Sequence, residues 1–126
     1  DEGLAGLQEE IARVVEGAKA KGVALKDVFF SSPSPGTLAN FFEDDYYKDH
    51  GKYLEALGRA MKREYEAIHA AGLTLQVDCP DLAMGRHTKF KDAPLGDFMA
   101  AAATAVRVLN EALADISAEH LRMHVC

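Results

Sequence analysis

The stretch Leu73-Thr74-Leu75-Gln76-Val77-Asp78-Cys79-Pro80 decides the fold of this chain. Its first residues are short and apolar enough for a buried strand, and Pro80 interrupts regular pairing because proline has no amide hydrogen. Gly72 lies directly before it, where a helix is expected to end. The stretch therefore predicts a strand over Leu73 to Val77 that follows a helix.

Three other segments carry apolar residues at helical spacing. The first begins near Leu4 and ends before Gly22. The second lies directly before the strand, and the third opens near Pro94, a residue suited to a first helical turn. The second segment is the clearest of the three, with one apolar stripe made of Leu54, Leu57, Met61, Tyr65 and Ile68.

Two further apolar runs predict strands, one from Val23 to Phe30 and one from Leu121 to Cys126. Proline and glycine predict a loop over residues 31–36, and polar residues predict another over residues 81–93. The resulting order, helix and strand in alternation, implies parallel strands with right-handed helical crossovers. No glycine-rich phosphate-binding motif follows a strand. We therefore expect an α/β fold: part of a (βα)8 barrel with about three parallel strands.

The composition limits the classes of function. The chain has 126 residues, 48% of them hydrophobic and 27% charged, as in a globular domain or part of one. A net charge of −6 argues against a nucleic-acid or anionic-membrane partner, and no apolar run reaches the ~20 residues of a membrane span. With no export leader, Cys79 and Cys126 are expected to be free thiols in the cytoplasm.

Polar residues cluster where each predicted strand ends: Ser31 and Ser32, Asp78 and Asp81, His124 and Cys126. Active sites of (βα)8 barrels are built at these carboxyl ends. In an extended strand His124 and Cys126 share one face, and imidazole and thiolate are ligands that Zn²⁺ prefers. The simpler alternative is a partly buried histidine and an inert cysteine.

The remaining polar candidates each have a structural alternative. At the barrel mouth Asp78 could bind a cationic group or order a water, or it could cap its loop, with neither role favoured. For Asp81 the capping role is favoured over substrate binding. Arg86 and His87 could hold an anionic substrate or complete a lid, although the polarity of a solvated loop is the default explanation. Cys79 is predicted to be a packing residue, because no activating histidine lies beside it in the sequence.

Three segments together carry a resemblance. They are residues 31–36 with the later Tyr46-Tyr47 pair, the Leu75-Gln76-Val77-Asp78-Cys79-Pro80-Asp81-Leu82-Ala83 stretch, and Arg122-Met123-His124-Val125-Cys126. Their order resembles the catalytic barrel of cobalamin-independent methionine synthases. It is most similar to the short "methionine synthase II" members, which include epoxyalkane:coenzyme M transferases.

The resemblance implies a zinc-dependent barrel in which His124 and Cys126 are metal ligands and a further ligand follows Cys126. It also implies that Asp78 lines the pocket of a thiol substrate. Ser32, Asp81 and His87 are further substrate-binding candidates because of their positions at strand ends and in the loop that follows. The chain departs from methionine synthases proper by Cys79, which stands where they have Glu. It also has no Trp to stack on a folate.

These residues predict a fragment, truncated at both ends and inactive alone, of a zinc enzyme that transfers a methyl or other alkyl group to a small thiol. Two alternatives stay open. One is a catalytically inactive half-barrel that self-associates through open sheet edges. The other is a zinc-free enzyme similar to uroporphyrinogen decarboxylase, which the His-x-Cys pair disfavours.

Overall fold

The computed structural model describes residues 2–126, which form one parallel sheet with five α-helices. In chain order the elements are α1 (Glu2–Ala20), β1 (Phe29–Pro33), α2 (Pro35–Phe41), α3 (His50–Ala70), β2 (Thr74–Asp78), α4 (Met84–His87), α5 (Leu95–Ala112) and β3 (Leu121–His124). Short 3₁₀ turns occupy Leu25–Asp27, Pro80–Leu82 and Ala118–His120.

The three strands lie side by side in the order β1-β2-β3, and both neighbouring pairs are parallel. Val77 is the register partner of Ser32 on one side and of Met123 on the other. Helices α2 and α3 connect the first two strands, and α4 and α5 connect the next two. The predicted α/β class with about three parallel strands is therefore confirmed.

The two faces of this sheet differ sharply. Leu75 and Val77 are buried against the helices. We call this face of the sheet the helix-covered side. The core between it and the helices is made of Ile11, Met61, Tyr65, Ile68, Leu73, Leu75, Val77, Cys79, Leu109, Ala112 and Ile116.

Strand alternation directs a second set of residues to the other face, which we call the open face. None of their side chains is buried. The open face consists of Phe29, Ser31, Thr74, Gln76, Asp78, Arg122 and His124.

Local signals fix the helix ends much as the sequence predicts. Gly22 and Gly72 follow α1 and α3 with φ of 68° and 85°, a conformation that favours glycine. Asp49 caps α3, since its carboxylate accepts a hydrogen bond of 3.0 Å from the Lys52 amide. No helix within residues 2–126 has the length and apolar character needed to cross a membrane.

The structure corrects the region around β1. The strand begins at Phe29, and the run before it holds a 3₁₀ turn instead of strand. The loop predicted for residues 31–36 is wrong, since its first half belongs to β1 and Pro35 begins α2. Pro33 is tolerated because it ends an edge strand, after which the Ser34 amide bonds the Asp78 carbonyl at 2.9 Å.

Two other boundaries differ from the prediction. The segment over residues 81–93 contains the short helix α4. The last strand ends at His124 instead of Cys126, because β2 turns away at Pro80. The final ladder bond joins the Cys79 amide to the His124 carbonyl at 2.8 Å, and Val125 has no strand partner.

Candidate functional site

Asp78 and His124 meet at the carboxyl ends of β2 and β3, on the open face. They are register partners, and His124 Nδ1 lies 3.4 Å from Asp78 Oδ1. Both side chains remain partly accessible, with 36% of Asp78 and 54% of His124 exposed. A carboxylate at this distance orients the imidazole and directs its Nδ1 toward the acid.

Gln76 links this pair to the first strand. Its Nε2 donates hydrogen bonds of 3.0 Å to both Asp78 Oδ1 and Ser31 Oγ. The connected set Ser31, Gln76, Asp78 and His124, which we call the open-face cluster, spans all three strands. Gln76 was not identified from the sequence as a site residue, although its position two residues before Asp78 places both side chains on one face of a strand.

Cys126 lies two residues beyond the cluster, and both it and His124 are exposed. Because β3 ends at His124, strand alternation does not determine the direction of the Cys126 side chain. The prediction that the two ligands share one face through pairing therefore loses its basis. The accessible thiol and imidazole remain chemically suited to a divalent metal.

The donor set fits part of a zinc site. A zinc-bound histidine usually donates its other ring N–H to a carboxylate or a carbonyl, and Asp78 Oδ1 lies 3.4 Å from Nδ1 of His124, where it could take that part. Its Nε2 has no described partner and is the nitrogen left for a metal. Within residues 2–126, no group of three or more His, Cys, Asp or Glu side chains is arranged to hold a metal ion.

Ser32 lies on the opposite side of the sheet from this cluster. It is 1% exposed, and its hydroxyl donates a hydrogen bond of 2.5 Å to Glu64 Oε1 on α3. A substrate bound beside Asp78 would not reach Ser32. Of the two serines predicted from the sequence, Ser31 is the one whose side chain shares the face of Asp78.

The side chain of Asp81 links its own 3₁₀ turn to the first turn of α2 instead of lying on the open face. Its Oδ1 accepts hydrogen bonds of 2.8 Å from the hydroxyls of Ser34 and Thr37. Gly36 permits this contact, since a Cβ there would lie 2.1 Å from Asp81 Oδ2. The structure thus favours the capping alternative for Asp81 over substrate binding.

Arg86 and His87 lie on the short helix α4, which follows β2 and is not part of the sheet. The guanidinium of Arg86 donates to the carbonyls of Phe90, Lys91 and Ala93 and so fixes the segment after α4. His87 is exposed and has no described hydrogen-bond partner. Neither residue contacts the cluster in the described structure, and substrate binding by His87 stays a prediction.

Cys79 is a packing residue in this structure. Its thiol is fully buried in the core between β2 and the helices. Burial and the charges of Asp81 and Asp78 raise the pKa of Cys79 to about 11, against a smaller opposite effect of the Ser34 hydroxyl. A thiol with this pKa is protonated at neutral pH and is a poor nucleophile.

The carboxyl ends of the strands therefore present an ionisable carboxylate, an imidazole held against it and an accessible thiol. This set can bind a cationic group, ligate a metal or move a proton. Comparison of the chain with protein-family models, with curated proteins and with solved structures gives no match.

Proposed function

We propose that this chain is part of a zinc-dependent enzyme that transfers a methyl or other alkyl group to a small thiol, similar to cobalamin-independent methionine synthases. The observation that supports it best is the Asp78–His124 pair, 3.4 Å apart on an accessible polar face. Cys126 follows two residues later and supplies the sulfur donor. In this proposal a further ligand comes from a residue outside the described segment.

The open face supports a barrel as the parent fold. Parallel sheets are normally covered on both faces, yet here the face with Gln76 and Asp78 has no buried side chain. In a closed (βα)8 barrel this face would point inward, and polar residues at the carboxyl ends of its strands would line the active site. A face left uncovered by the helices is what such a segment requires, and Asp78 and His124 lie at the carboxyl ends of their strands, where a barrel active site is built.

Each residue has a definite part in the proposed chemistry. His124 and Cys126 would hold the metal. Zinc held there would lower the pKa of a thiol substrate so that it is a thiolate near neutral pH. Asp78 orients His124 and presents negative charge to a cationic group of the thiol substrate, while Gln76 keeps the carboxylate in place. A reducing compartment such as the cytoplasm keeps the accessible Cys126 available.

Cobalt(II) binding to the 126-residue chain tests the metal site directly. Cobalt bound by a thiolate gives a charge-transfer absorption that nitrogen and oxygen ligands alone do not give. We expect this band in the native chain, its loss in Cys126→Ala and its retention in Cys79→Ala, the matched control. A chain that binds cobalt without the band, or equally with and without Cys126, would contradict the proposal.

Variants of Asp78 and His124 extend the same cobalt-binding experiment. Asp78→Asn should weaken cobalt binding about tenfold, since removing the carboxylate partner of a ligating histidine typically has an effect of this order. His124→Ala should weaken it further. Activity is then measured as zinc-dependent consumption of a thiol, with a methyl or epoxide donor, by a longer natural protein that contains these residues. Full activity after complete zinc removal would rule out the proposal.

The sheet edges favour a second, non-catalytic candidate: self-association of the chain. β1 and β3 each have one side with no strand partner in the described structure. The β1 edge ends in Pro33, which cannot donate a hydrogen bond, whereas β3 carries the exposed Met123 and is followed by the exposed Val125. Sedimentation over a range of concentrations should then show oligomers that Met123→Lys disperses, and a concentration-independent monomer would exclude this candidate.

A further inference from the structure

A second concave site lies away from the open-face cluster. It is a cleft of about 570 Å³ between the end of α2, the first turns of α3 and the segment from Pro80 to Lys89. This volume is in the range of pockets that hold small organic molecules. Asp81 lines the cleft, but no member of the open-face cluster does.

Two adjacent phenylalanines form one wall of the cleft. Phe41 is 75% exposed and Phe42 is 62% exposed, and both line the cavity. Aromatic side chains gain most from burial, so two neighbouring exposed rings at a concave site indicate a surface that another molecule covers. Met84, also largely exposed, lines the same cleft from α4.

The charged groups of the cleft are mainly acidic. The lining includes the carboxylates of Glu43, Asp44 and Asp81, and Lys89 is its one lysine or arginine. The Lys89 ammonium donates a hydrogen bond of 3.3 Å to the neutral Ala39 carbonyl, so its charge offsets one of the three carboxylates. Glu43 has no described hydrogen-bond or ion-pair partner. The cleft therefore offers negative charge beside aromatic rings.

The wall that carries these groups is held in place before any ligand binds. Asp44 Oδ1 accepts hydrogen bonds of 3.0 and 2.6 Å from the amides of Tyr46 and Tyr47. The Tyr53 hydroxyl donates one of 3.2 Å to the Phe42 carbonyl. Lys48 closes the segment in the left-handed region, with φ of 53°. A preformed wall loses little conformational entropy on binding.

We propose that this cleft binds a small organic cation that combines an aromatic ring with an ammonium group. The ring stacks on Phe41 and Phe42, and the ammonium lies near Glu43, whose charge is not neutralised by any described residue. An anionic ligand would meet three carboxylates, and a purely aliphatic amine would leave the exposed rings uncovered. The site does not depend on the zinc chemistry proposed above.

Tryptamine is a suitable probe, because the chain contains no Trp and indole fluorescence then reports the probe alone. We expect tryptamine to bind the 126-residue chain in one saturable step. Indole-3-propionate, which has the same ring and a negative charge, should bind at least about tenfold more weakly, since its carboxylate would face like charges. Butylamine, which has the charge without the ring, should also bind at least about tenfold more weakly.

Variants place the probe in the cleft. Phe42→Ala should weaken tryptamine binding about tenfold, because one stacking ring is lost. Glu43→Gln should weaken it about threefold, as expected for an exposed charge near a cation. Glu16→Gln removes the same charge from the exposed surface of α1 and should leave binding unchanged. Phe42 and Glu43 are both exposed, so neither change is expected to unfold the chain.

Several results would overturn the proposal. These are equal binding of tryptamine and indole-3-propionate, binding that Phe42→Ala and Glu43→Gln leave unchanged, or no saturation at millimolar tryptamine. A dimer that covers Phe41 and Phe42 and excludes the probe at every concentration would also overturn it. Metal binding at His124 and Cys126 is measured separately, so failure here leaves the zinc proposal untouched.

Discussion

The two faces of the sheet have opposite compositions although they share the same three strands. On the helix-covered side, Leu75 and Val77 are 0% and 1% exposed and contact the core. On the open face, the neighbouring Gln76 and Asp78 make hydrogen bonds along the surface. Stability is thus expected to depend on one face, and chemistry on the other.

The difference also separates structural polar residues from candidate functional ones. Ser32, Ser34 and Asp81 are hydrogen-bonded to groups of the protein itself, Asp81 through its Oδ1. Asp78 and His124 contact each other but stay accessible. A polar residue at a strand end is therefore a candidate for binding only when its face is open.

The largest expected effect compares two adjacent residues of β2. Leu75→Ala removes a fully buried side chain and should lower the free energy of unfolding by about 3 kcal/mol. Gln76→Ala removes a partly exposed one and should cost less than about 1 kcal/mol. Urea unfolding of the two variants measures both. Equal losses would mean that the open face is covered in solution.

The two aspartates of Asp78-Cys79-Pro80-Asp81 give the next contrast. Asp81→Ala removes the charged acceptor that the hydroxyls of Ser34 and Thr37 share and should cost about 2 kcal/mol. Each hydroxyl then has only its neutral acceptor, Thr37 Oγ1 for Ser34 and the Asp78 carbonyl for Thr37. Asp78→Ala should change the free energy of unfolding by less than about 0.5 kcal/mol, because its carboxylate is partly solvated. Thermal or urea unfolding separates the two.

A third variant tests the same contact from its other side. Gly36→Ala would place a Cβ 2.1 Å from Asp81 Oδ2, so the carboxylate must move away from α2. We expect a loss of about 1–2 kcal/mol. Combined with Asp81→Ala, the Gly36→Ala change should cost less than it does alone, since the colliding group is gone. Full additivity would show that Asp81 does not sit against Gly36.

The sequence predicted the helix-covered side well, because burial imposes periodicity. The apolar stripe of α3 and the run of β2 both pack as predicted, and Gly22 and Gly72 end their helices. These features depend on residues close together in the chain.

The candidate site was predicted less completely, because its contacts join distant residues. Ser31 and Ser32 look alike in the sequence, and only the start of β1 at Phe29 decides which one faces Asp78. Asp81 finds its partners 44 and 47 positions away. The direction of Cys126 could not be predicted either, since β2 leaves the sheet before that residue can pair.

The smallest expected effect concerns the two cysteines: Cys79 is buried on the helix-covered side, and Cys126 is exposed beyond the end of β3. Cys126 is exposed and should react with a thiol reagent in the folded chain, whereas Cys79 should react only after unfolding. Folding raises the pKa of Cys79 from its ordinary 9.0 to about 11, so the unfolded chain releases this proton first. The stability that the neutral thiol contributes is complete below pH 9.0 and is lost as the pH rises toward about 11.

Other groups titrate over the same alkaline range, so the informative quantity is the difference from Cys79→Ala, which removes only this thiol. The free energy of unfolding of the native chain should fall more steeply between pH 9.0 and about 11 than that of the variant. Cys126→Ala, the matched change at an exposed position, should leave the slope unaltered. Two results would contradict this prediction: equal slopes for all three chains, or fast reaction of Cys79 in the folded chain. Either would show that solvent reaches β2 on its helix-covered side, and that the contrast between the two faces is weaker than the structure indicates.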